Sequence, residues 1–290
     1  MIRKYDFVAI GDLVTDAFIK LKDARVNCDL NQKNCMLSMR FGDKIPYENV
    51  VIVPAVGNSA NAAVAAARLG LKSALVSHLG GDQNGKDALK VLRKEKVGTK
   101  FIKVNKRMKT NYHYVLSYEG ERTILIKHEK FPYSLPAIGK PAWIYISSCG
   151  EKGLLKFHKE IERYLAMHKN VKLAFQPGTY QIKLGTKLAG TYKRAEVVFV
   201  NKEEAQRILK SRGDKIKKLL DGLCALGAKI AVITDGRRGV YMREGRKYWY
   251  MPMYPDIKPP LERTGAGDAF SSTFTVALAL GKSAKEALMW

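Results

Sequence analysis

Short apolar runs alternate with segments of helical period along most of this chain, and that alternation constrains its fold more than any single motif. Strands are expected at Phe7–Ile10, Ser73–Leu79, Trp143–Ser147, Val171–Phe175, Val197–Val200 and Ile230–Thr234. Between them, Asn58–Leu69, Lys86–Lys96, Leu154–Met167, Lys202–Leu209 and Lys215–Leu226 carry apolar residues three or four apart, as amphipathic helices do. Strand followed by helix, repeated, implies βαβ units and a mostly parallel sheet covered on both faces. With 290 residues, 46% of them hydrophobic, the chain can bury one large core.

Two stretches break the rhythm. Residues 17–53 contain no clean helical period, and Tyr112–Ser117 with Thr123–Lys127 reads as a hairpin turning at Glu119-Gly120-Glu121. The two insertions are expected to meet as a small separate sheet. The resulting division is a main α/β body of residues 1–16, 54–105 and 128–290, and a β unit of residues 17–53 and 106–127.

Composition excludes several classes. No apolar run approaches the roughly 18 residues of a membrane helix, and the N-terminus enters a strand without a secretory leader, so no membrane partner and a cytoplasmic location are expected. Four scattered cysteines make no disulfide scaffold and no Cys-x-x-Cys pair. Reduced thiols are the default, although Cys28 and Cys35 lie close enough to pair. Lys and Arg number 51 against 27 Asp and Glu, a net charge of +24 that attracts polyanions. The basic residues are spread along the chain rather than blocked together, which favours a basic surface over a dedicated nucleic-acid site.

The chemistry is concentrated in Thr264-Gly265-Ala266-Gly267-Asp268-Ala269-Phe270, which opens a long apolar helical stretch. Two glycines let backbone amides turn toward one point, and the helix N-terminus adds positive potential there. An Asp in that first turn is placed to take a proton from a hydroxyl attacking a phosphoryl group, although Asp is also favoured there simply for capping. A dinucleotide fingerprint is excluded, because Phe270 stands where its third glycine belongs. No Walker-type phosphate loop is present.

These residues resemble the C-terminal signature of ribokinase-like (PfkB) carbohydrate kinases, and other landmarks follow in the same order. Gly11-Asp12-Leu13-Val14-Thr15-Asp16 is similar to the family's first-strand turn. Gly57-Asn58-Ser59-Ala60-Asn61 resembles part of its Gly-Gly-x-x-x-Asn substrate motif, and Gly80-Gly81-Asp82-Gln83-Asn84-Gly85 a later turn. Asn201-Lys202-Glu203-Glu204 resembles its Asn-x-x-Glu element, and Thr234-Asp235-Gly236-Arg237-Arg238-Gly239 its nucleotide loop.

The resemblance implies a three-layer αβα sandwich with a mostly parallel central sheet, the β unit serving as its lid. It implies an ATP- and Mg²⁺-dependent phosphotransferase acting on a sugar or sugar-like hydroxyl. Asp268 would be the base, with Gly265, Ala266 and Gly267 at the transferred phosphoryl group. Asp16, Gly57, Asn58 and Asn61 would hold the acceptor. Asn201, Thr234, Gly236, Gly239 and Thr264 would face the nucleotide, with Glu204 toward Mg²⁺ and Arg237 and Arg238 as phosphate counter-charges. A nucleoside acceptor and a non-catalytic sugar- or nucleotide-binding protein are the alternatives, and homodimerisation through the lid is expected of the family.

Each landmark also has a purely structural explanation. Asn201 and Glu204 have the spacing of a helix capping box, Gly236 to Gly239 that of a hairpin turn, and Asp16 that of a turn after a first strand. The chain departs from the family pattern at Val56, where a first glycine is usual, at Gln176, where Asp is common, and at Glu262-Arg263, where Asp-Thr is common. Family members also carry a further helical segment beyond the one after Gly267-Asp268, whereas this sequence stops at Trp290. The adenine site is therefore expected to be completed differently or by residues beyond those given.

Overall fold

The computed structural model describes residues 4–29, 35–255 and 264–290. The Glu262-Arg263 departure lies outside the described residues. The chain begins with β1 (Phe7–Ile10), β2 (Val14–Leu21), β3 (Arg25–Asn27), β4 (Met36–Ser38) and β5 (Tyr47–Val56), followed by α1 (Asn58–Arg68). Next come β6 (Ser73–Gly80), α2 (Gln83–Lys94), β7 (Ile102–Asn105), β8 (Asn111–Tyr118), β9 (Glu121–Leu125) and β10 (Trp143–Ile146). The middle of the chain forms α3 (Leu154–Met167), β11 (Lys172–Phe175), α4 (Thr179–Leu184), α5 (Ala189–Arg194), β12 (Val197–Asn201), α6 (Lys202–Leu209) and α7 (Ile216–Ala225). It closes with β13 (Ile230–Thr234), β14 (Val240–Glu244), β15 (Lys247–Met251), α8 (Ala266–Ala279) and α9 (Ala284–Met289).

Among the described residues, nine strands form the central sheet in the order β15-β14-β13-β12-β11-β10-β1-β6-β7. From β13 to β7 the pairs are parallel, and β14 and β15 fold back antiparallel at one edge. Side chains on β1 alternate between two cores: Val8 and Ile10 pack with α3 and α5 to α7, while Phe7 and Ala9 pack with α1, α2, α8 and α9. Period-2 alternation with both faces buried is what a continuous apolar run requires in a parallel sheet, and it yields the three αβα layers. Each buried Phe, Ile or Leu contributes roughly 1.5–3 kcal/mol.

The two irregular insertions meet in a second sheet of order β5-β2-β8-β9. Its β8–β9 turn puts Glu119 and Gly120 at φ 49° and 80°, the two positive values that a tight twisted hairpin needs. This sheet is larger than the apolar pattern suggested. In the first insertion its strands begin at Val14 and run to Val56, so Asp16 lies on β2, paired in register with His113 of β8, and not in the turn after β1.

The expectation of reduced thiols fails for one pair. The β3–β4 ladder sets Asn27 opposite Met36, so Cys28 and Cys35 just beyond it face each other and form a disulfide with Cα atoms 4.0 Å apart. Cys149 and Cys224 are free. Among the described residues no helix is long and apolar enough to cross a membrane.

Candidate active site

An open α/β sheet leaves a crevice where neighbouring strands diverge at their carboxyl ends, and β1, β10, β11 and β12 all end on the same side here. A cleft of about 1100 Å³ lies there, roofed by the second sheet. Of the residues singled out from the sequence, Asp16, Gly57, Asn58, Asn61, Glu204, Thr264, Gly265, Ala266 and Asp268 line it together.

Asp268 sits in the first turn of α8, behind Gly265, whose φ of 85° is a left-handed conformation that glycine adopts without strain. Three amides hold its carboxylate. Asn58 donates to Oδ1 at 2.8 Å, Gln176 to the same oxygen at 3.0 Å, and Asn61 to Oδ2 at 2.8 Å. Asn58 and Asn61 share one face of α1 because they are three residues apart. Burial pushes the Asp268 carboxyl above its ordinary range; the donors Asn61, Gln176 and Asn58 oppose this, and the charge of Asp16 adds to it. Gln176 was marked from sequence only as a departure, yet it touches the carboxylate at the centre of the site.

Asp16, expected from the sequence to hold the acceptor, is joined in the cleft by Asp12, His113 and His128, which sequence reasoning did not assign to the site. Asp12, 3% exposed, accepts from the Tyr133 hydroxyl at 2.6 Å and lies 2.7 Å from His128 Nδ1. Asp16 Oδ1 is buried without a hydrogen-bond partner among the described residues, with His113 Nδ1 at 3.4 Å, an ion-pair distance longer than a good hydrogen bond. His113 Nε2 is likewise unpartnered. Phe18, Val53, Ile124 and Ile126 supply apolar walls beside these groups.

The residues expected to face the nucleotide divide. Asn201 and Glu204 make the reciprocal capping box in full: Asn201 Oδ1 accepts from the Glu204 amide, and Glu204 Oε2 accepts from the Asn201 amide, both at 2.8 Å. Burial raises the Glu204 carboxyl above its usual range. Thr234 pairs in register with Asn201 on the next strand, but Thr234, Gly236 and Gly239 do not line the cleft. Gly236 and Gly239, at φ 54° and 85°, shape the turn from β13 into β14. Arg238, expected as a phosphate counter-charge, is instead fastened to Asp235 by two hydrogen bonds of 2.6 and 2.7 Å. Its guanidinium holds the Asp235 carboxyl below its ordinary range.

Comparison with known proteins agrees with this architecture. Residues 25–289 match the model of the pfkB family carbohydrate kinases. A ribokinase of Bacillus subtilis is 27% identical over 238 residues, covering 80% of this chain and 76% of that protein. An ATP-dependent 6-phosphofructokinase of Thermoanaerobacterium thermosaccharolyticum is 24% identical over 311 aligned residues, 99% of this chain and 85% of that one. The ribokinase of Arabidopsis thaliana, solved with ribose and ATP, superimposes with a TM-score of 0.78 at 19% identity over 98% of this chain and 89% of its own. With its fold, the order of its motifs and a family match across most of its length, the chain belongs to the pfkB family of carbohydrate kinases.

Proposed function

We propose that this protein transfers the γ-phosphoryl group of ATP to a hydroxyl of an uncharged sugar or nucleoside, with Asp268 as the general base. One observation carries the reading: the Asp268 carboxylate stands at the N-terminal mouth of α8, in the cleft, held by three amide donors. Phosphoryl transfer asks a protein mainly for positioning and charge stabilisation, and that arrangement supplies both. The acceptor hydroxyl replaces one amide donor and gives its proton to Asp268. The amides of residues 265 to 267, at positive helix potential, stabilise the transferring group. ATP approaches along Asn201 and Thr234, with Arg237 left as the arginine of that turn that has no acidic partner among the described residues.

Mg²⁺ fits the donor set. Glu204 is a half-buried carboxylate whose charge is disfavoured where it stands, a place that welcomes a cation. No cluster of three ligating side chains exists among the described residues, which suits an ion that keeps most of its waters. When bound with ATP, Mg²⁺ supplies offsetting positive charge at the phosphates, and Glu204 and Asn201 are the residues that would hold it.

Charge argues for a neutral acceptor. Asp12, Asp16, Glu95, Glu204 and Asp268 line the cleft, and Arg68, the one arginine among the described lining residues, is committed to Glu95 by bonds of 2.7 and 2.8 Å. The apolar walls Phe18, Val53, Ile124 and Ile126 suit the flat face of a nucleobase, so a nucleoside stands beside a free sugar as acceptor. The second sheet acts as the lid, and its exposed Val50, Val51, Ile52 and Leu125 would be covered in a homodimer.

The test is Asp268→Asn in an ADP-release assay with ribose, fructose, adenosine and cytidine as acceptors. Turnover should fall at least about 100-fold with whichever acceptor the wild type uses. Retained turnover would remove Asp268 as base.

A further inference from the structure

Behind the three amides lies a second line of hydrogen bonds that the transfer reaction itself does not touch. Gln176 follows β11 directly and offers its amide nitrogen to Asp268, while its amide oxygen accepts from the Tyr145 hydroxyl at 2.6 Å. Tyr145, on β10, is fully buried, and burial keeps its phenol well above its ordinary range, hence protonated. The same hydroxyl lies 2.7 Å from Ser271 Oγ, and Ser271 Oγ in turn lies 2.8 Å from the Gly267 carbonyl, one turn of α8 back toward Asp268. The line therefore starts and ends on α8 and closes a loop around the carboxylate.

A primary amide has a donor end and an acceptor end of nearly equal size, and its partners decide which way it faces. We propose that Tyr145, backed by Ser271, acts through Gln176 as a positioning pair that presents the amide nitrogen to Asp268 while it is a carboxylate, and the amide oxygen once Asp268 has taken the acceptor's proton. This rests on Asp268 being the base.

The hydrogens balance in both states. Before transfer, Tyr145 donates to Gln176 Oε1, Gln176 donates to Asp268 Oδ1, and Ser271 donates to the Gly267 carbonyl. After transfer, with the acceptor's proton on Asp268 Oδ1, that O–H donates to the turned amide oxygen and Gln176 donates to the Tyr145 oxygen. Tyr145 then donates to Ser271 Oγ, and Ser271 still donates to Gly267. No proton leaves the line, and no buried polar atom in it loses its partner, which would otherwise be costly.

Among the described residues, Asp16 of β2 and Glu204 of α6 are the ionisable side chains that act on Asp268 from neighbouring elements besides Tyr145, and α1 presents to it the amides of Asn58 and Asn61. Neither acid can replace a hydrogen-bonding partner that switches ends.

The experiment compares Tyr145→Phe, Ser271→Ala, Gln176→Leu and Gln176→Glu with the wild type. It measures kcat, KM for acceptor and for ATP, and the acid limb of kcat from pH 5 to 9, with Asp268→Asn in parallel and thermal midpoints as a check on folding. For Tyr145→Phe we expect kcat about 5- to 10-fold lower with both KM values within twofold, and the acid limb moved up by about half to one pH unit. Gln176→Glu, which keeps the shape but can offer only oxygens, should be slower than Gln176→Leu at pH 8. A packing role would give the opposite order. The inference is overturned if Asp268→Asn is inactive while Tyr145→Phe keeps wild-type kcat and acid limb, or shows only raised KM values. Full turnover by Asp268→Asn would instead overturn the base assignment itself, and this inference with it.

Discussion

Replacing Asn61 by Asp tests the centre of the site, because it exchanges a donor for a charge without changing shape. The Asn61 amide lies 2.8 Å from Asp268 Oδ2, so the substitution sets two carboxylates side by side. Two unit charges about 4 Å apart in surroundings of effective dielectric about 20 repel by about 4 kcal/mol, which corresponds to roughly 3 units of carboxyl pKa. The cleft is open to water and Asp268 is only partly covered, so about half of that survives screening. Loss of the Asn61 donor adds up to about one unit more, giving an upward shift of about 1.5–2.5 units.

The sign follows from the proposed role: a base works only when deprotonated, and the Asp268 carboxyl already stands above the ordinary range through burial. Raising it further means activity is lost at a higher pH, so the variant should be impaired at pH 6–7 and recover toward pH 9. An ADP-release assay of kcat/KM against pH reads the shift directly. Asn61→Leu is the control, removing the donor without adding charge, and it should move the acid limb by no more than about one unit. If the Asn61→Asp and wild-type profiles superimposed, or both variants shifted equally, the amide-held carboxylate would not be the titrating base.

Tyr133→Phe leaves one oxygen of the buried Asp12 and the Gly150 amide, now 2.8 Å from the Tyr133 hydroxyl, without partners. A loss of roughly 2–4 kcal/mol in urea unfolding is expected, and a change below about 0.5 kcal/mol would mean that neither group is desolvated. Gly80→Ala would place a Cβ 2.3 Å from the Lys109 carbonyl carbon and 2.4 Å from the Thr110 nitrogen, both backbone atoms at the entry to β8. Thermal unfolding should register at least about 2 kcal/mol, and unchanged stability would show that this approach relaxes easily. Light scattering should report a dimer, and Ile52→Lys with Leu125→Lys on the exposed side of the second sheet should shift it toward monomer. A wild-type monomer at micromolar concentration would refute lid-mediated pairing.

The sequence by itself determined whatever depends on neighbours along the chain. The strand and helix periods place β1, α1, α3 and β10 to β13 within a residue or two, because 2.0- and 3.6-residue repeats are local geometry. The Asn201–Glu204 capping box and the glycine before α8 are legible for the same reason. Only tertiary structure decided what meets Asp268. Asn58, Asn61 and Gln176 lie 210, 207 and 92 residues from it in sequence, and they converge because β1, β10 and β11 are adjacent in the sheet while α1 packs on α8. Asp12 with His128 and Tyr133, Asp16 with His113, and the Tyr145 line arise likewise from strand order and register. A local pattern carries no information about which distant strand lies alongside, since that choice is made by the packing of the whole core.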